Sequence, residues 1–461
     1  MAVASIEQVT RSVEKGLGCA VETVRRQTRW RPCWFVDAER DGERLELVVR
    51  GERVDTCVQP LAKEYAFHRL LERHGLPVPK IYDWRDDIEA IVMERAPGRP
   101  DFGGTPEAER DVIVDEYLQA LARLHTLDIG PFVEAGVLRA ASPEGSGELM
   151  HYELERLWRL RKRHPNPFME FCLGWLHRHP PRSQGRESAI VWDSGQFHHH
   201  GGHLAAMLDL EFGHLGDPMA DLAVWRMRDT LIPFGDFKAL YRRYEDLTGK
   251  PVDLEAIKRH HFAATLSNEM IFGAAILDPV PATDLMNNMQ WTSETSLHAT
   301  EALAEYLELE LPTVETPEPK RHRTANTFAH LTEALRDVGA GDEFARHEAR
   351  LAFRTVRHLA RADELGDAVV EAELDDLHRV LGKRPPSWWE GDEMLERFVL
   401  ADTGEGRFDA DLVWLFHCRN LRNHMQMGPP GSKMVAHYPT QRFDARPPTN
   451  TAQFALGGTR P

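Results

Sequence analysis

Two carboxylates inside an apolar run constrain this chain more than any other feature. Asp209 and Glu211 stand in the segment 207–212, whose other residues are Met, Leu, Leu and Phe. Residues two apart in a strand point to one face, so the two carboxylates are predicted to lie side by side. Surface charge does not explain such a pair among apolar neighbours. Because Mg²⁺ binds one or two carboxylates together with phosphate oxygens, the segment predicts a metal and phosphate site.

The pattern before this segment predicts a small antiparallel sheet with a helix packed on it. A capped first helix is predicted to end near Gly16 or Gly18, and Asp41-Gly42 predicts a hairpin. The predicted strands of this part are 22–30, 33–38, 45–50, 81–84 and 89–93, with a helix over 61–74. Further along, helices are predicted over 111–162 and 217–309, and strands over 188–197 and 203–210. We therefore expect an α+β fold.

Composition and charge exclude several classes of function. The formal net charge of −17 gives a surface that repels the phosphates of nucleic acids and anionic membranes. No apolar run approaches the ~20 residues of a membrane-spanning helix, and the first 18 residues do not resemble a signal peptide. Five scattered cysteines form no C-x-x-C pair, which indicates reduced thiols without structural zinc. We expect a cytoplasmic protein that binds neither nucleic acid nor membranes.

A basic residue and a carboxylate form a second candidate site. Arg50 ends the predicted strand 45–50, and Glu64 lies on the helix that follows. A strand-end cation fixed by a helix carboxylate is how protein-kinase-like folds hold the α- and β-phosphates of ATP. Arginine can do this with its bidentate fork, although its reach is shorter than that of lysine. Taken alone, the pair is better explained by an exposed strand-end arginine and a solvated helix glutamate, and only the context reverses that interpretation.

Three further motifs supply that context. They are Leu-Pro-Val-Pro at 76–79, Ile-Val-Met-Glu-Arg-Ala-Pro-Gly at 91–98 and Leu-Ala-Arg-Leu-His at 121–125. In this order, and followed by the segment 207–223, they closely resemble the aminoglycoside-phosphotransferase and choline-kinase family. The resemblance implies a bilobal protein-kinase-like fold that uses ATP and Mg²⁺, with an antiparallel N-terminal lobe and a mainly helical second lobe.

The resemblance also implies roles for individual residues. The hinge that grips adenine falls on Met93, Glu94, Arg95 and Ala96. Asp209 binds the magnesium ion, and Glu211 is a candidate second ligand. Asp217 with Pro218 is a helix start. We assign Asp217 and Asp221 structural roles, with Asp221 bracing the catalytic loop.

The catalytic loop departs from the family pattern. The family usually has His-Gly-Asp and then, five residues after the Asp, an Asn that holds metal. With Gly195-Gln196-Phe197 aligned on that Asn, Gln196 replaces it and Val191 stands where the Asp is expected. Asp193 can serve as the base only if the loop is two residues shorter.

Three interpretations follow from the altered loop. In the first, Asp193 orients the acceptor hydroxyl in a rebuilt loop. In the second, another carboxylate or none does so, since phosphoryl transfer depends more on positioning than on a strong base. In the third, the chain binds nucleotide without transferring phosphate. We take Asp193 as the catalytic candidate, and Asp209, Gln196 and Glu211 as the candidate metal ligands.

The histidines at 198–200 and 203 form another possible metal cluster. Alternate residues of a strand face opposite ways, so at most two of the first three share a face. The Gly201-Gly202 pair marks a turn between them and the fourth. We expect a solvated turn rather than a zinc site.

Residues 326–427 lie outside the kinase-like pattern and are predicted to be all helical. They loosely resemble a small helical domain found beside phosphotransferases linked to acyl-CoA catabolism, some of which phosphorylate 4-hydroxyacyl-CoA. The predicted division is a nucleotide-binding lobe (1–98), a helical lobe with the catalytic and metal segment (99–311), a linker (312–325), this helical domain, and an irregular tail (428–461).

The sequence thus predicts an ATP- and Mg²⁺-dependent phosphotransferase that acts on a hydroxyl group of a small organic molecule. Hydroxy acids and hydroxyacyl-CoA are the candidate acceptors. The alternative is a nucleotide-binding pseudokinase with a regulatory or partner-binding role. The C-terminal helical domain is the candidate surface for a protein partner or for a second copy of the chain.

Overall fold

The computed structural model describes residues 3–28, 31–52, 58–181, 186–280, 283–336, 338 and 343–443. The chain divides into two compact units. The first comprises Met1–Glu153 and Arg182–His260, and the second comprises Leu154–Pro181 and His261–Pro461.

A small antiparallel sheet forms the N-terminal part of the first unit. Its strands are β1 (Ala20–Arg26), β2 (Cys33–Arg40), β3 (Glu43–Gly51), β4 (Ile81–Arg85) and β5 (Ala90–Glu94). They pair in the order β1-β2-β3-β5-β4. Helix α1 (Ile6–Leu17) precedes β1, and α2 (Leu61–Arg73) lies between β3 and β4. Asp41 and Gly42 have φ values of 55° and 81°, which close the predicted hairpin between β2 and β3.

Alternation along β3 decides which way its last residues point. Leu47 and Val49 are buried with Val13 of α1 in one apolar cluster. The next residue, Arg50, points to the opposite face of the sheet. On that face Leu61 of α2 packs against apolar residues of β4 and β5. The sequence of β3 therefore places Arg50 beside α2.

The rest of the first unit combines helices with two short pairs of strands. The helices are α3 (Glu107–Leu124), α4 (Gly130–Glu134), α7 (Pro218–Arg228) and α8 (Phe237–Thr248), and the chain passes between the units within α5 (Leu149–Arg161) and α9 (Leu254–Thr265). The strands are β6 (Ser188–Ile190), β7 (Phe197–His200), β8 (His203–Met207) and β9 (His214–Gly216). β6 pairs with β9, and β7 pairs with β8. As predicted, Asp217 caps α7, accepting a hydrogen bond from Met219 N at 2.9 Å.

The described part of the second unit is helical. Besides the portions of α5 and α9 it contains α6 (Pro167–Arg178), α10 (Ser267–Leu277), α11 (Leu285–Tyr306), α12 (Ala325–Arg336), α13 (Glu343–Leu381), α14 (Trp388–Asp402) and α15 (Asp409–Met425). Residues 428–443 contain neither helix nor strand. They fold back onto the helices, because Met434 and Val435 are buried against Met286 of α11. Residues 444–461 of the predicted tail lie outside the described residues.

The predicted fold class is confirmed. The fold is mixed, with 54% helix, a small antiparallel sheet in the N-terminal part and many helices in the C-terminal part. The predicted domain boundaries stay predictions. Within the described residues, no helix is both long enough and apolar enough to span a membrane.

Several strand predictions are wrong in extent. The predicted strand 188–197 is two short strands, β6 and β7, separated by a loop over 191–196. The strand predicted to reach residue 210 ends at Met207, because Asp209 has a φ of 57° that interrupts an extended chain. The first strand ends at Arg26, and residues 29–30 of the predicted 22–30 lie outside the described part.

Candidate active site

Arg50 joins the sheet to two carboxylates from other parts of the chain. Its Nε lies 2.8 Å from Glu64 Oε1, and its Nη2 lies 2.7 Å from Asp209 Oδ1. Glu64 is buried on α2, whereas the Asp209 side chain remains 31% exposed. Arg50 therefore contacts Glu64, as predicted, and it also contacts Asp209, the predicted metal ligand.

Arg31 extends this cluster on the other side of Glu64. Its Nη1 lies 3.1 Å from Glu64 Oε2, and its Nη2 lies 2.5 Å from Glu211 Oε2. Glu64 is thus shared by two arginines, Arg31 and Arg50, and each arginine reaches a further carboxylate. Two cations face three carboxylates, which leaves the cluster with a formal charge of −1.

The loop between β6 and β7 brings Asp193 towards this cluster. Gln196 Nε2 donates a hydrogen bond to Asp193 Oδ2 at 2.6 Å and another to Asp209 Oδ2 at 3.2 Å. Arg228 of α7 donates a charged hydrogen bond to Asp193 Oδ1. The candidate catalytic residue and the candidate metal ligand are therefore bridged by one side chain.

A strained turn presents Asp193. Its backbone N–H donates to Val191 O at 2.8 Å, which makes a γ-turn around Trp192, whose φ is 61°. Such a conformation is unfavourable for a non-glycine residue and persists only when its surroundings enforce it. Asp221 does so, accepting hydrogen bonds from Trp192 N at 2.6 Å and from Val191 N at 3.0 Å. The expected bracing role of Asp221 is thus visible in the structure.

The same loop requires glycine at position 195. Gly195 has a φ of 87°, and a Cβ added there would lie 2.9 Å from Arg228 Cδ. Its N–H donates to Tyr117 Oη at 2.5 Å. A side chain at 195 would therefore displace Arg228, the arginine that holds Asp193.

The two aspartates differ in acidity. Burial opposes ionisation of Asp209, but the positive charges of Arg50 and Arg31 outweigh it and lower its pKa to about 2. Burial raises the pKa of Asp193 above its ordinary value, Arg228 opposes that rise, and the negative charge of Asp209 adds to it. Asp209 is consequently a permanent anion at neutral pH, while Asp193 binds a proton more readily.

The site offers the oxygen ligands that Mg²⁺ prefers. Asp193 and Asp209 supply carboxylates, and Gln196 supplies an amide whose two ends are interchangeable by rotation. With its nitrogen turned inward, the amide bridges the two anions; with its oxygen turned inward, it adds a third oxygen beside them. A hard divalent cation fits this donor set. Glu211 is held by Arg31 at 2.5 Å.

The comparison with known families decides what kind of domain carries this site. Residues 32–257 match the family model described as the phosphotransferase enzyme family. This segment belongs to that family. The predicted resemblance is confirmed, and so is the predicted enzyme class, a phosphotransferase.

Two curated proteins are similar to part of the chain. Acyl-CoA dehydrogenase family member 10 of Mus musculus is 28% identical over 201 residues, which cover 39% of this chain and 18% of that protein. Acyl-CoA dehydrogenase family member 11 of Rattus norvegicus is 30% identical over 174 residues, covering 35% of this chain and 22% of that protein. The match therefore spans about a fifth of the length of these relatives.

Solved structures with a similar backbone share little sequence with this chain. An apoenzyme of macrolide 2′-phosphotransferase from Brachybacterium faecium is 18% identical with a TM-score of 0.44, and the match covers 60% of this chain and 95% of that one. A protein described as a putative fructosamine-3-kinase from Thermobifida fusca is 21% identical with a TM-score of 0.41, covering 62% and 99%. The assignment rests on the family match alone.

The predicted hinge, residues 93–96, lies at the end of β5 (Ala90–Glu94). Glu94 N donates to Lys80 O at 2.8 Å, and Arg95 N donates to Glu46 O at 2.9 Å. Both amides are therefore used within the sheet. The carbonyl of Ala96 lies 3.1 Å from His198 Nδ1. A role of 93–96 in adenine binding stays a prediction.

Two residues of the site were missed by sequence reasoning, Arg31 and Arg228. Arg31 precedes β2 and reaches Glu211, which lies 180 positions away along the chain. Arg228 stands in the last turn of α7, where basic residues commonly interact favourably with the helix dipole. Neither lies in a motif, so only their three-dimensional neighbours reveal them.

The expectation of a solvated histidine turn is wrong for two of the four histidines. His199 is buried and its Nε2 lies 2.8 Å from Asp101 O, while His198 contacts the hinge. Gly98 permits this approach, because a Cβ there would lie 1.8 Å from His199 O. The exposed His203 pairs with Glu116 on α3. These side chains bind different partners and do not converge on one metal.

Replacing Asp221 by Ala is expected to lower the free energy of unfolding by about 3–5 kcal/mol. Asp221 is fully buried, and besides the two loop amides it contacts His125 Nε2 at 3.0 Å. Its loss leaves these donors without an acceptor in a dry environment. Urea unfolding followed by tryptophan fluorescence checks this. Asp246→Ala on the exposed side of α8 is the control, for which we expect a change within about 0.5 kcal/mol. Equal losses in both variants would contradict the bracing role.

Proposed function

We propose that this chain is an ATP- and Mg²⁺-dependent phosphotransferase that phosphorylates a hydroxyl group of a small organic molecule. One observation carries the proposal: Gln196 contacts both Asp193 and Asp209, at 2.6 and 3.2 Å. A carboxylate suited to the acceptor and one suited to the metal thus lie within reach of a single side chain. They do so in a domain of the phosphotransferase family.

The nucleotide side of the site is built from Arg50, Glu64 and Asp209. Bound ATP would supply the phosphoryl group, and bound Mg²⁺ would neutralise the charge that develops on it. Arg50 would keep its Nε beside Glu64, while its Nη2 would exchange Asp209 for a phosphate oxygen. Asp209 and Gln196 would then hold the metal ion, and Glu211 is the candidate second carboxylate. Arg31 remains between Glu64 and Glu211 and fixes both.

The proposed adenine site consists of backbone groups of the predicted hinge that do not form hydrogen bonds within the sheet. Met93, Glu94, Arg95 and Ala96 would hold the adenine ring. Because the amides of Glu94 and Arg95 already donate within the sheet, the Ala96 end is the part that would provide the donor.

The acceptor side is built around Asp193. Arg228 and Gln196 each bind one of its oxygens, which fixes the plane of the carboxylate. A hydroxyl group that donates to Asp193 would be held in one orientation for attack, and its proton would pass to the carboxylate. The raised pKa of Asp193 suits a group that receives a proton during the reaction.

The acceptor we propose is the hydroxyl group of a hydroxyacyl-CoA, with the free hydroxy acid as the simpler form. The support for this acceptor is that the two similar curated proteins are both named as acyl-CoA dehydrogenase family members. A kinase that converts a hydroxyl into a phosphate would prepare that oxygen to leave from an acyl chain. The identity of the acceptor can be tested independently of the reaction class.

A transfer assay tests the proposal. Purified full-length protein is incubated with ATP and Mg²⁺ and with three kinds of acceptor: hydroxyacyl-CoA esters, the matching hydroxy acids, and aminoglycosides. Mass spectrometry then detects the gain of one phosphoryl group, with EDTA-treated reactions as the control. We expect phosphorylation of the CoA esters. Phosphorylation of another acceptor alone would overturn the proposed substrate but not the reaction class. If ATP stabilises the protein and no acceptor gains phosphate, the pseudokinase alternative replaces the kinase.

A further inference from the structure

A second cluster of ligating side chains lies in the second unit. On α11, Glu294, His298 and Glu301 follow one another at spacings of four and three residues, which places them on one face of the helix. The segment after α15 folds back and brings His437 to this face. His437 Nε2 lies 2.7 Å from Glu301 Oε1, and the rings of His437 and His298 are 4.7 Å apart.

The ligand atoms of this cluster are close enough together to hold one metal ion. One potential ligand atom from each of His298, Glu301 and His437 lies within 4.8 Å of the others. His298 is 2% exposed, and the side chains of His437 and Glu301 are 8% and 18% exposed. A metal ion held there would be shielded from water.

Two polar atoms of the cluster are buried without a partner. Among the residues that the structure describes, no hydrogen-bond partner reaches Glu301 Oε2 or His437 Nδ1. Native proteins rarely leave a buried carboxylate oxygen or ring nitrogen unsatisfied, because the loss of hydration is not compensated. The unsatisfied atoms belong to two of the three candidate ligands.

The surroundings also fix the tautomer of His298. Its Nε2 lies 3.1 Å from Tyr438 O, a pure acceptor, so this nitrogen carries the hydrogen and Nδ1 carries the lone pair. Metal-binding histidines typically donate their second nitrogen to a carbonyl or carboxylate in this way.

We propose that His298, Glu301 and His437 form a buried site for a divalent transition-metal ion. Two imidazoles and one carboxylate are a ligand set of zinc and of non-haem ferrous iron, and we expect Zn²⁺ to bind. The ion would tie the segment around His437 to α11. This site consists entirely of second-unit residues and is separate from the proposed phosphotransfer site.

His437 and Glu301 can also satisfy each other directly, because His437 Nε2 lies 2.7 Å from Glu301 Oε1. A simple ion pair between His437 and Glu301, without any metal, is the alternative from which the experiment has to distinguish a metal site.

Zinc titration of the full-length chain tests the site. The protein is stripped with a chelator and titrated with Zn²⁺ against a chromophoric competitor, in a D209N background that weakens the other cation site. We expect a single tight equivalent, and a Co²⁺ spectrum that shows nitrogen ligation. His298→Ala, His437→Ala and Glu301→Gln should each weaken binding by about 10- to 100-fold or more. His330→Ala, an exposed histidine on α12, is the matched control and should bind as the parent does.

Two results would overturn the proposal. One is a parent protein that binds no Zn²⁺ while remaining folded by circular dichroism. The other is equal Zn²⁺ affinity in the parent, His437→Ala and Glu301→Gln, which would place the ion elsewhere. Glu301→Gln keeps the shape of the side chain, so it remains informative if an alanine variant fails to fold.

Discussion

The Asp193→Asn variant is expected to lose about 10²- to 10⁴-fold in kcat, the range typical of a removed acid–base group. Asn keeps the size of Asp and can still accept a hydrogen bond from Arg228 or Gln196. It cannot take up the proton of the acceptor hydroxyl. Because Asp193 is not expected to bind the nucleotide, the KM for ATP should change little. Steady-state phosphate transfer measures both constants.

The pH profile separates a proton-accepting role from a purely structural one. Burial raises the pKa of Asp193, so its carboxylate is protonated at a less acidic pH than an ordinary aspartate. The wild-type kcat should therefore fall on the acid side, where the protonated group can no longer accept a proton. Asp193→Asn should lack this acid limb. Asp246→Asn, on the exposed side of α8, should retain the full rate and profile. An unchanged kcat in Asp193→Asn would favour the interpretation in which positioning alone suffices.

The sheet could be predicted from sequence because its signals are local. Strand alternation, the Asp41-Gly42 hairpin and the helix after β3 each depend on neighbours within a few residues. These signals placed Arg50 and Glu64 on adjoining elements, and the structure finds their side chains 2.8 Å apart. The cap at Asp217 was predictable for the same reason.

The catalytic loop could not be predicted in the same way. Its conformation depends on Asp221, which holds the amides of Val191 and Trp192 from 30 and 29 positions further along the chain. A positive φ at Trp192 is enforced by these contacts and is not signalled by the residue itself. The same holds for Asp209, whose apolar neighbours favoured a strand although its φ is 57°. Strain of this kind concentrates at functional sites, and local propensity fails there.

The Asp209→Asn variant is expected to lower kcat/KM for MgATP by about 10²- to 10³-fold, the scale of one lost electrostatic contact at a reacting group. Positive charge from Arg50 and Arg31 lowers the pKa of Asp209 to about 2, so the wild-type residue is ionised throughout the neutral range. Asn removes this anion but not the fold of the cluster, since Arg50 keeps Glu64 at 2.8 Å. A weaker metal site should raise the Mg²⁺ concentration needed for half-maximal rate.

Glu211→Gln is the comparison variant for the candidate second ligand, because Glu211 stands two residues away and is bound by Arg31 at 2.5 Å. If Asp209 is the principal metal ligand, Asp209→Asn should shift the Mg²⁺ dependence more strongly than Glu211→Gln, which removes only the candidate second carboxylate and its contact with Arg31. The reaction rate, measured as a function of Mg²⁺ concentration at fixed ATP, distinguishes the two candidate ligands. A large shift in Glu211→Gln with none in Asp209→Asn would transfer the metal role to Glu211. Arg50 would then keep its bond to Asp209 in the active state, and the proposed exchange of its Nη2 from carboxylate to phosphate would be wrong.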